Sequence, residues 1–94
     1  SVVICGNAVF AVGAIKSAKQ LGYKVPSDIS ITGFDDIELA SVIEPALTTV
    51  HVPHRKMGKI AARMLVDMID HKKPKSRELG TSVIFRETLG PPKL

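Results

Sequence analysis

The sequence has few residues of the kinds that cross-link a chain or anchor it in a membrane. Among its 94 residues there is one cysteine, no tryptophan and 4% aromatic residues. A lone Cys5 cannot form an internal disulfide, so nothing indicates an oxidising compartment. No stretch is apolar and long enough to span a bilayer, and no basic-then-apolar leader opens the chain. We therefore expect a soluble, cytoplasmic protein without a membrane partner.

Motifs that carry catalysis are also missing. There is no glycine-rich phosphate loop, no Cys or His pair at zinc spacing and no nucleophile elbow. Nothing in the spacing of Ser41, His51 and Asp36 holds a nucleophile against a base. An aspartate pair could bind Mg²⁺, but only with a further carboxylate or a lysine at a neighbouring strand end. We expect no catalytic residue, no metal and no cofactor.

What is present fits one small α/β unit, since 45% of residues are hydrophobic and the net charge is +4. The apolar run Val2–Cys5 is typical of a strand covered on both faces, and Cys5 fits it as a small buried apolar residue. Asn7 is placed to cap a helix from Ala8 to about Leu21, which Gly22 ends. A second strand follows, so the pattern predicts a right-handed βαβ unit.

That second strand leads into Ile29-Ser30-Ile31-Thr32-Gly33-Phe34-Asp35-Asp36. We expect Gly33 to adopt a backbone conformation closed to other residues and to turn the chain sharply. Phe34 and the aspartates would then lie at the carboxyl edge of the sheet, where ligands bind in open parallel sheets. Asn7 follows the other parallel strand and should lie at the same edge. The alternative is that the aspartates cap a turn and Phe34 belongs to the core.

The second half of the chain predicts a short helix within residues 37–45, a strand at 47–52 and a final strand at 81–86. Between the strands, apolar residues at i, i+3, i+4 and i+7 predict an amphipathic helix, in which the methionines are core residues. These residues are Met57, Ile60, Ala61, Met64, Leu65, Met68 and Ile69. The basic run of residues 71–77 could contact nucleic-acid phosphates, but a solvated loop is the preferred interpretation.

Two groups of apolar residues exceed what one helix face or one loop needs. From the residues alone, they pack either within their own domain or against a second subunit. They are Val9, Phe10 and Val12 in the first helix, and Leu39, Val42 and Ile43 in the segment after Asp36.

Several segments resemble the effector-binding domain of LacI/GalR-type transcriptional repressors. The first two of them would also fit periplasmic sugar-binding proteins, whereas the Leu-Thr-Thr-Val strand followed by the Pro and Met-Gly helix resembles the repressors. These segments are Gly6-Asn7-Ala8-Val9-Phe10-Ala11-Val12-Gly13-Ala14, Val25-Pro26-Ser27-Asp28 with the strand that follows, Pro45-Ala46-Leu47-Thr48-Thr49-Val50, and Pro53 with Met57-Gly58 and Ala61.

The resemblance implies part of a three-layer, periplasmic-binding-protein-like α/β fold of type I, covering its C-terminal third. It assigns residues 1–46 and 79–90 to the C-terminal subdomain. Residues 47–78 would form a crossover strand and a helix of the N-terminal subdomain. The helix-turn-helix headpiece that contacts operator DNA is expected to lie outside these residues. We also expect the chain to be poorly stable alone, because its elements belong to two cores.

For function, the resemblance implies a homodimeric regulator in which a sugar-like or nucleobase-like effector alters operator affinity. Asn7 and Asp35 match the positions that typically hydrogen-bond the effector, with Phe34 beside them. The family usually has Asn-Asp where this chain has Asn7-Ala8. The two apolar groups named above match the family's dimer surface. The alternatives are a periplasmic sugar-binding receptor of a transport system and a metal-dependent enzyme using Asp35 and Asp36.

Overall fold

The computed structural model describes residues 1–92. It contains the predicted helices and strands in the predicted order, and the strands are shorter than the sequence pattern indicated. The elements are β1 (Val2–Ile4), α1 (Ala8–Gln20), β2 (Ser30–Thr32), α2 (Glu38–Val42), β3 (Thr49–His51), α3 (His54–Ile69) and β4 (Ser82–Ile84).

The chain divides into two compact units. The first unit comprises Ser1–His51 and the chain from Ser82 onward, and the second unit is Val52–Thr81. The assignment of residues 1–46 with 79–90, and of residues 47–78, to two subdomains of a larger domain stays a prediction.

The first unit is built on the predicted βαβ arrangement. β1 pairs in parallel with β2, with Val3 opposite Ile31, and α1 connects them. A parallel bridge between Thr32 and Thr48 brings the chain that leads into β3 alongside β2. β3 then pairs antiparallel with β4. The carboxyl ends of β1 and β2 therefore lie at one edge of the parallel pair.

The core of the first unit is small and made largely of short side chains. On α1, Ala8, Ala11, Ile15 and Ala18 are buried, at the spacing that puts residues on one helix face. They cluster with the buried residues Ile31, Ala40 and Leu47. Cys5 is half-buried against this cluster, and desolvation raises the pKa of its thiol. Cys5 therefore behaves as a small apolar residue that is only partly covered.

The expectation that β1 is covered on both faces is wrong for this chain. Val2, Val3 and Ile4 are 49%, 39% and 79% exposed. A continuous apolar run indicates that a strand favours burial, but burial also requires an element packed on each face of the strand. Within residues 1–92, α1 packs mainly against β2, and β1 is left largely uncovered.

The second unit consists of α3 and the chain after it. The predicted amphipathic helix is confirmed, but no residue of it is buried. Met57 and Met68 are 44% and 60% exposed, so the expectation that the methionines are core residues is wrong for this chain. Residues 71–77 form a loop whose basic side chains are exposed, with Pro74 half-buried. None of the helices within residues 1–92 is long and apolar enough to cross a membrane.

Candidate functional site

The segment that follows β2 remains hydrogen-bonded to the neighbouring chain up to the predicted site. The Gly33 amide donates to the Thr48 carbonyl at 3.0 Å, and the Asp35 amide donates to the Val50 carbonyl at 3.0 Å. On the other side, the Cys5 amide donates to the Thr32 carbonyl at 2.8 Å. These bonds fix the backbone at the carboxyl edge of β1 and β2.

Gly33 is required at this edge for its small size rather than for a special backbone angle. A Cβ atom there would lie 2.9 Å from Leu47 Cδ2 and 3.4 Å from Ala8 Cα. The contact with Ala8 shows that the turns after β1 and β2 approach closely. Gly33 does not have a positive φ, so the expectation that it adopts a conformation closed to other residues is wrong.

Asp35 has the left-handed backbone instead, with φ of 76°. Aspartate and asparagine tolerate this region better than most residues. The Asp35 carbonyl accepts a hydrogen bond from the Ile37 amide at 2.8 Å, which closes a tight turn before α2. Its side-chain Oδ1 is buried. The backbone of Asp35 is therefore held in a fixed position at the edge of the sheet.

Asp36 has a different environment. Its Oδ1 lies 2.9 Å from Arg86 Nη1, and its Oδ2 lies 3.7 Å from His51 Nδ1. Arg86 Nη1 also donates to the Leu47 carbonyl at 2.9 Å. Asp36 therefore ties the turn to the chain after β4. A guanidinium so close to one member of the pair disfavours a cation between the two aspartates, and residues 1–92 contain no cluster of metal-binding side chains.

Asn7 caps α1 as its position predicts. Its Oδ1 accepts a hydrogen bond from the Phe10 amide at 2.8 Å, and its backbone is extended, as is usual at this position. Only the side-chain oxygen is used by the cap. Within residues 1–92 the Nδ2 group has no protein partner. Asn7 can therefore cap the helix and still donate a hydrogen bond to a ligand.

Phe34 directly precedes Asp35 in the sequence and is 44% exposed. The alternative that placed Phe34 in the core is therefore wrong. An exposed ring next to a carboxylate suits a ligand that has both an apolar face and hydrogen-bond donors.

The residues predicted to form a dimer surface differ in exposure. Val9, Phe10 and Val42 are 64%, 65% and 69% exposed, and Leu39 is 38% exposed. Val12 and Ile43 are half-buried and line the same cavity of about 320 Å³ between α1 and the end of α2. The structure thus brings the two sequence groups together at Val12 and Ile43.

Sequence reasoning missed the residues that join the chain after β4 to the sheet. Thr88 is fully buried, its Oγ1 accepts from the Thr48 amide at 2.9 Å, and its carbonyl accepts from the Ile31 amide at 2.9 Å. Thr48 Oγ1 in turn accepts from the Arg86 amide. In the sequence, Arg86 ends the predicted final strand and Thr88 lies two residues further on, which does not distinguish them from surface residues.

A model of the periplasmic binding protein-like domain matches residues 2–89. The chain belongs to the periplasmic binding protein-like domain family. The relatives place it with the effector-binding domains of LacI/GalR-type repressors within that family. The HTH-type transcriptional repressor PurR of Proteus mirabilis is 51% identical over 71 residues, which are 76% of this chain and 21% of the relative.

Solved structures of periplasmic binding protein-like domains agree with this assignment. The lac repressor dimer bound to operator and the anti-inducer ONPF superposes with a TM-score of 0.87 at 30% identity, covering 93% of this chain and 27% of the repressor. The complex of the transcriptional regulator CelR with cellobiose superposes with a TM-score of 0.85 at 30% identity, covering 93% of this chain and 27% of CelR. The chain thus spans about a quarter of the length of these relatives.

Proposed function

We propose that this chain contributes the effector-binding edge and the dimer surface of a LacI-type transcriptional regulator that acts in the cytoplasm. A sugar-like or nucleobase-like effector would bind at the carboxyl edge of β1 and β2, through Asn7 and Asp35, with its ring against Phe34. The relatives are repressors rather than enzymes, which supports a binding role without catalysis.

The observation that carries this proposal is the place of Asp35 at the sheet edge, next to the turn after β1. Asp36 has a guanidinium 2.9 Å away and serves the structure of the turn. Asp35 is held by its backbone at the sheet edge, where the turns after β1 and β2 meet. A carboxylate at that position accepts hydrogen bonds from ligand hydroxyl or ring N–H groups, and the Asn7 amide group can donate one.

Regulation would follow from coupling between sites. If the effector binds one arrangement of the subdomains more tightly than the other, it shifts the population toward that arrangement. The affinity of the dimer for operator DNA then changes by the same coupling free energy. In this proposal, DNA is bound through a headpiece that is not among these residues.

The test is calorimetric titration of the full-length protein with sugars and nucleobases, followed by Asp35→Asn. Asparagine tolerates the left-handed backbone, so the fold should persist while the charge is lost. We expect the affinity for the identified effector to fall about tenfold to hundredfold, as for a lost hydrogen bond to a charged group. Asp70→Asn, the same change at an exposed residue of the second unit, is the control and should bind normally.

Two outcomes of the titration would contradict the proposal. One is unchanged effector affinity in Asp35→Asn. The other is saturable Mg²⁺ binding that Asp35→Asn abolishes, with no organic ligand found, which would favour a metal-dependent enzyme. A third contradicting outcome is sugar binding without any change in operator affinity, measured by fluorescence anisotropy of labelled DNA, which would favour a transport receptor.

A further inference from the structure

The second unit contains a solvent-open cavity of about 470 Å³ between α3 and the loop that follows it. All its lining residues lie within Val52–Thr81, so the cavity belongs to this unit alone. They are Lys59, Ile60, Arg63, Met64, Asp67, Pro74, Lys75 and Arg77. No residue of the effector-binding edge is among them.

The cavity includes part of the apolar stripe of α3, at Ile60 and Met64. Ile60, Met64 and Asp67 are spaced i, i+4 and i+7 and therefore share a flank of the helix. They are also the half-buried residues of α3, whereas Leu65 and Met68 of the same apolar stripe are 58% and 60% exposed. The loop residue Pro74 lines the cavity together with Ile60 and Met64 of the helix.

Cations outnumber carboxylates around the cavity. Lys59, Arg63, Lys75 and Arg77 line it, and Asp67 is the one acidic residue in the lining, which leaves an excess of three positive charges. Within residues 1–92 none of these four cations forms an ion pair. Like charges four residues apart on a helix, such as Lys59 and Arg63, destabilise each other. A bound anion would offset that repulsion.

The uncharged residues that line the cavity are all apolar. Ile60, Met64 and Pro74 are half-buried and give the cavity an apolar floor. Its volume lies within the range of about 300–1,000 Å³ that is usual for small-molecule sites. A ligand that fits both features has several adjacent negative charges and an apolar or planar body.

We propose that this cavity binds a small organic phosphate with at least two adjacent phosphoryl groups, such as a nucleoside diphosphate or triphosphate. Arginine and lysine side chains are suited to phosphate oxygens, and two arginines can each provide a planar fork of donors. The geometry favours a small anion over a nucleic-acid strand. The cations line a concave site within one unit rather than an extended groove that a strand could follow.

The test uses the full-length protein with inorganic pyrophosphate and inorganic orthophosphate as probes in calorimetry at low ionic strength. We expect pyrophosphate to bind more tightly than orthophosphate, with an affinity that decreases as salt is added. The double variant Arg63→Gln with Arg77→Gln should weaken pyrophosphate binding by about tenfold or more, as loss of charge-assisted hydrogen bonds requires. Asp67→Asn should strengthen it, because the opposing carboxylate is removed.

The matched control is Lys72→Gln with Lys73→Gln, which removes two positive charges, as the test variant does, but from residues outside the cavity. Pyrophosphate binding should be nearly unchanged in this control. Equal weakening in both double variants would mean attraction to net charge alone and would overturn the proposal. So would the absence of pyrophosphate binding, or binding of duplex DNA alone through Arg63 and Arg77. Circular dichroism of each variant, compared with the parent protein, checks that the helix persists.

Discussion

Asn7 shows how one side chain can serve the fold and a ligand with different atoms. Its Oδ1 accepts the hydrogen bond of the Phe10 amide and completes the first turn of α1. Its Nδ2 has no protein partner within residues 1–92, so it can donate to an effector. Substitutions at this residue can therefore separate helix stability from ligand affinity.

Asn7→Asp should preserve the cap and improve its interaction with the helix dipole, while it removes the Nδ2 donor. We expect an unchanged or higher melting temperature together with weaker effector binding. Asn7→Ala should lose both properties, with a loss of about 1 kcal/mol in the free energy of unfolding. Thermal melts and calorimetric titration of the full-length variants measure the two effects. Full effector affinity in Asn7→Asp would show that the Nδ2 group makes no contact with the ligand.

Gly33 and Asp35 show a residue-scale property that the local sequence did not predict. Glycine is the usual residue at positive φ, and the pattern Gly-Phe-Asp therefore assigned the unusual conformation to Gly33. In the structure Asp35 has it, and Gly33 is constrained by Leu47 and Ala8, which are distant in sequence. A close approach between separate segments cannot be predicted from the residues next to the glycine.

At the scale of elements, α1 has two apolar faces with different surroundings. Ala8, Ala11 and Ile15 face the core, whereas Val9 and Phe10 are exposed. A helix that packs on one surface needs one apolar stripe, so the second stripe indicates a further contact. Lys19 Nζ donates to the Glu44 carbonyl at 3.0 Å and holds the end of α1 beside the chain after α2. α1 and α2 can thus present a joint surface to a second subunit.

Val9→Glu tests this proposed dimer surface without weakening the helix, because an acidic residue in the first turn favours the helix dipole. We expect the dimer dissociation constant of the full-length protein to rise by about tenfold or more, as for a charge buried in an interface. Leu21→Lys is the matched control. Leu21 is 74% exposed at the other end of α1, and a basic residue there also favours the dipole. Sedimentation of both variants over a range of concentrations measures the dimer dissociation constant. An unchanged dissociation constant in Val9→Glu would contradict the proposed dimer surface.

At the scale of the whole molecule, burial is distributed unevenly. The buried apolar residues all lie in the first unit, and α3 in the second unit has none. Isolated helices of about this length are marginal in water, and most helix stability in proteins comes from packing of an apolar face. The stability of the second unit in the isolated 94-residue chain should therefore be low.

Hydrogen exchange of the isolated chain measures this difference directly. We expect the amides of Ile31 and Gly33, which are hydrogen-bonded within the first unit, to exchange much more slowly than those in the middle of α3. The α3 amides should exchange within about a hundredfold of the rate of an unfolded peptide, because local opening there costs little. Equal protection in both units, or a sharp cooperative melt of the whole chain, would contradict this expectation.

The sequence by itself determined the order of helices and strands, the parallel βαβ unit, the cap at Asn7 and the resemblance to LacI-type effector-binding domains. These features depend on local pattern: apolar periodicity, capping residues and short motifs are all carried by neighbours in the chain. For the same reason it identified the Phe34-Asp35-Asp36 segment as the candidate site.

Only the tertiary structure decided which groups meet. It paired Asp36 with Arg86, which are far apart in the sequence, buried Thr88 against Thr48, and left β1, Met57 and Met68 largely uncovered. It also gathered Lys59, Arg63, Lys75 and Arg77, which the sequence had assigned to a helix surface and a solvated loop, around one cavity. These are contacts between distant segments, and a side chain's partners and burial depend on which segments pack there rather than on its neighbours in sequence.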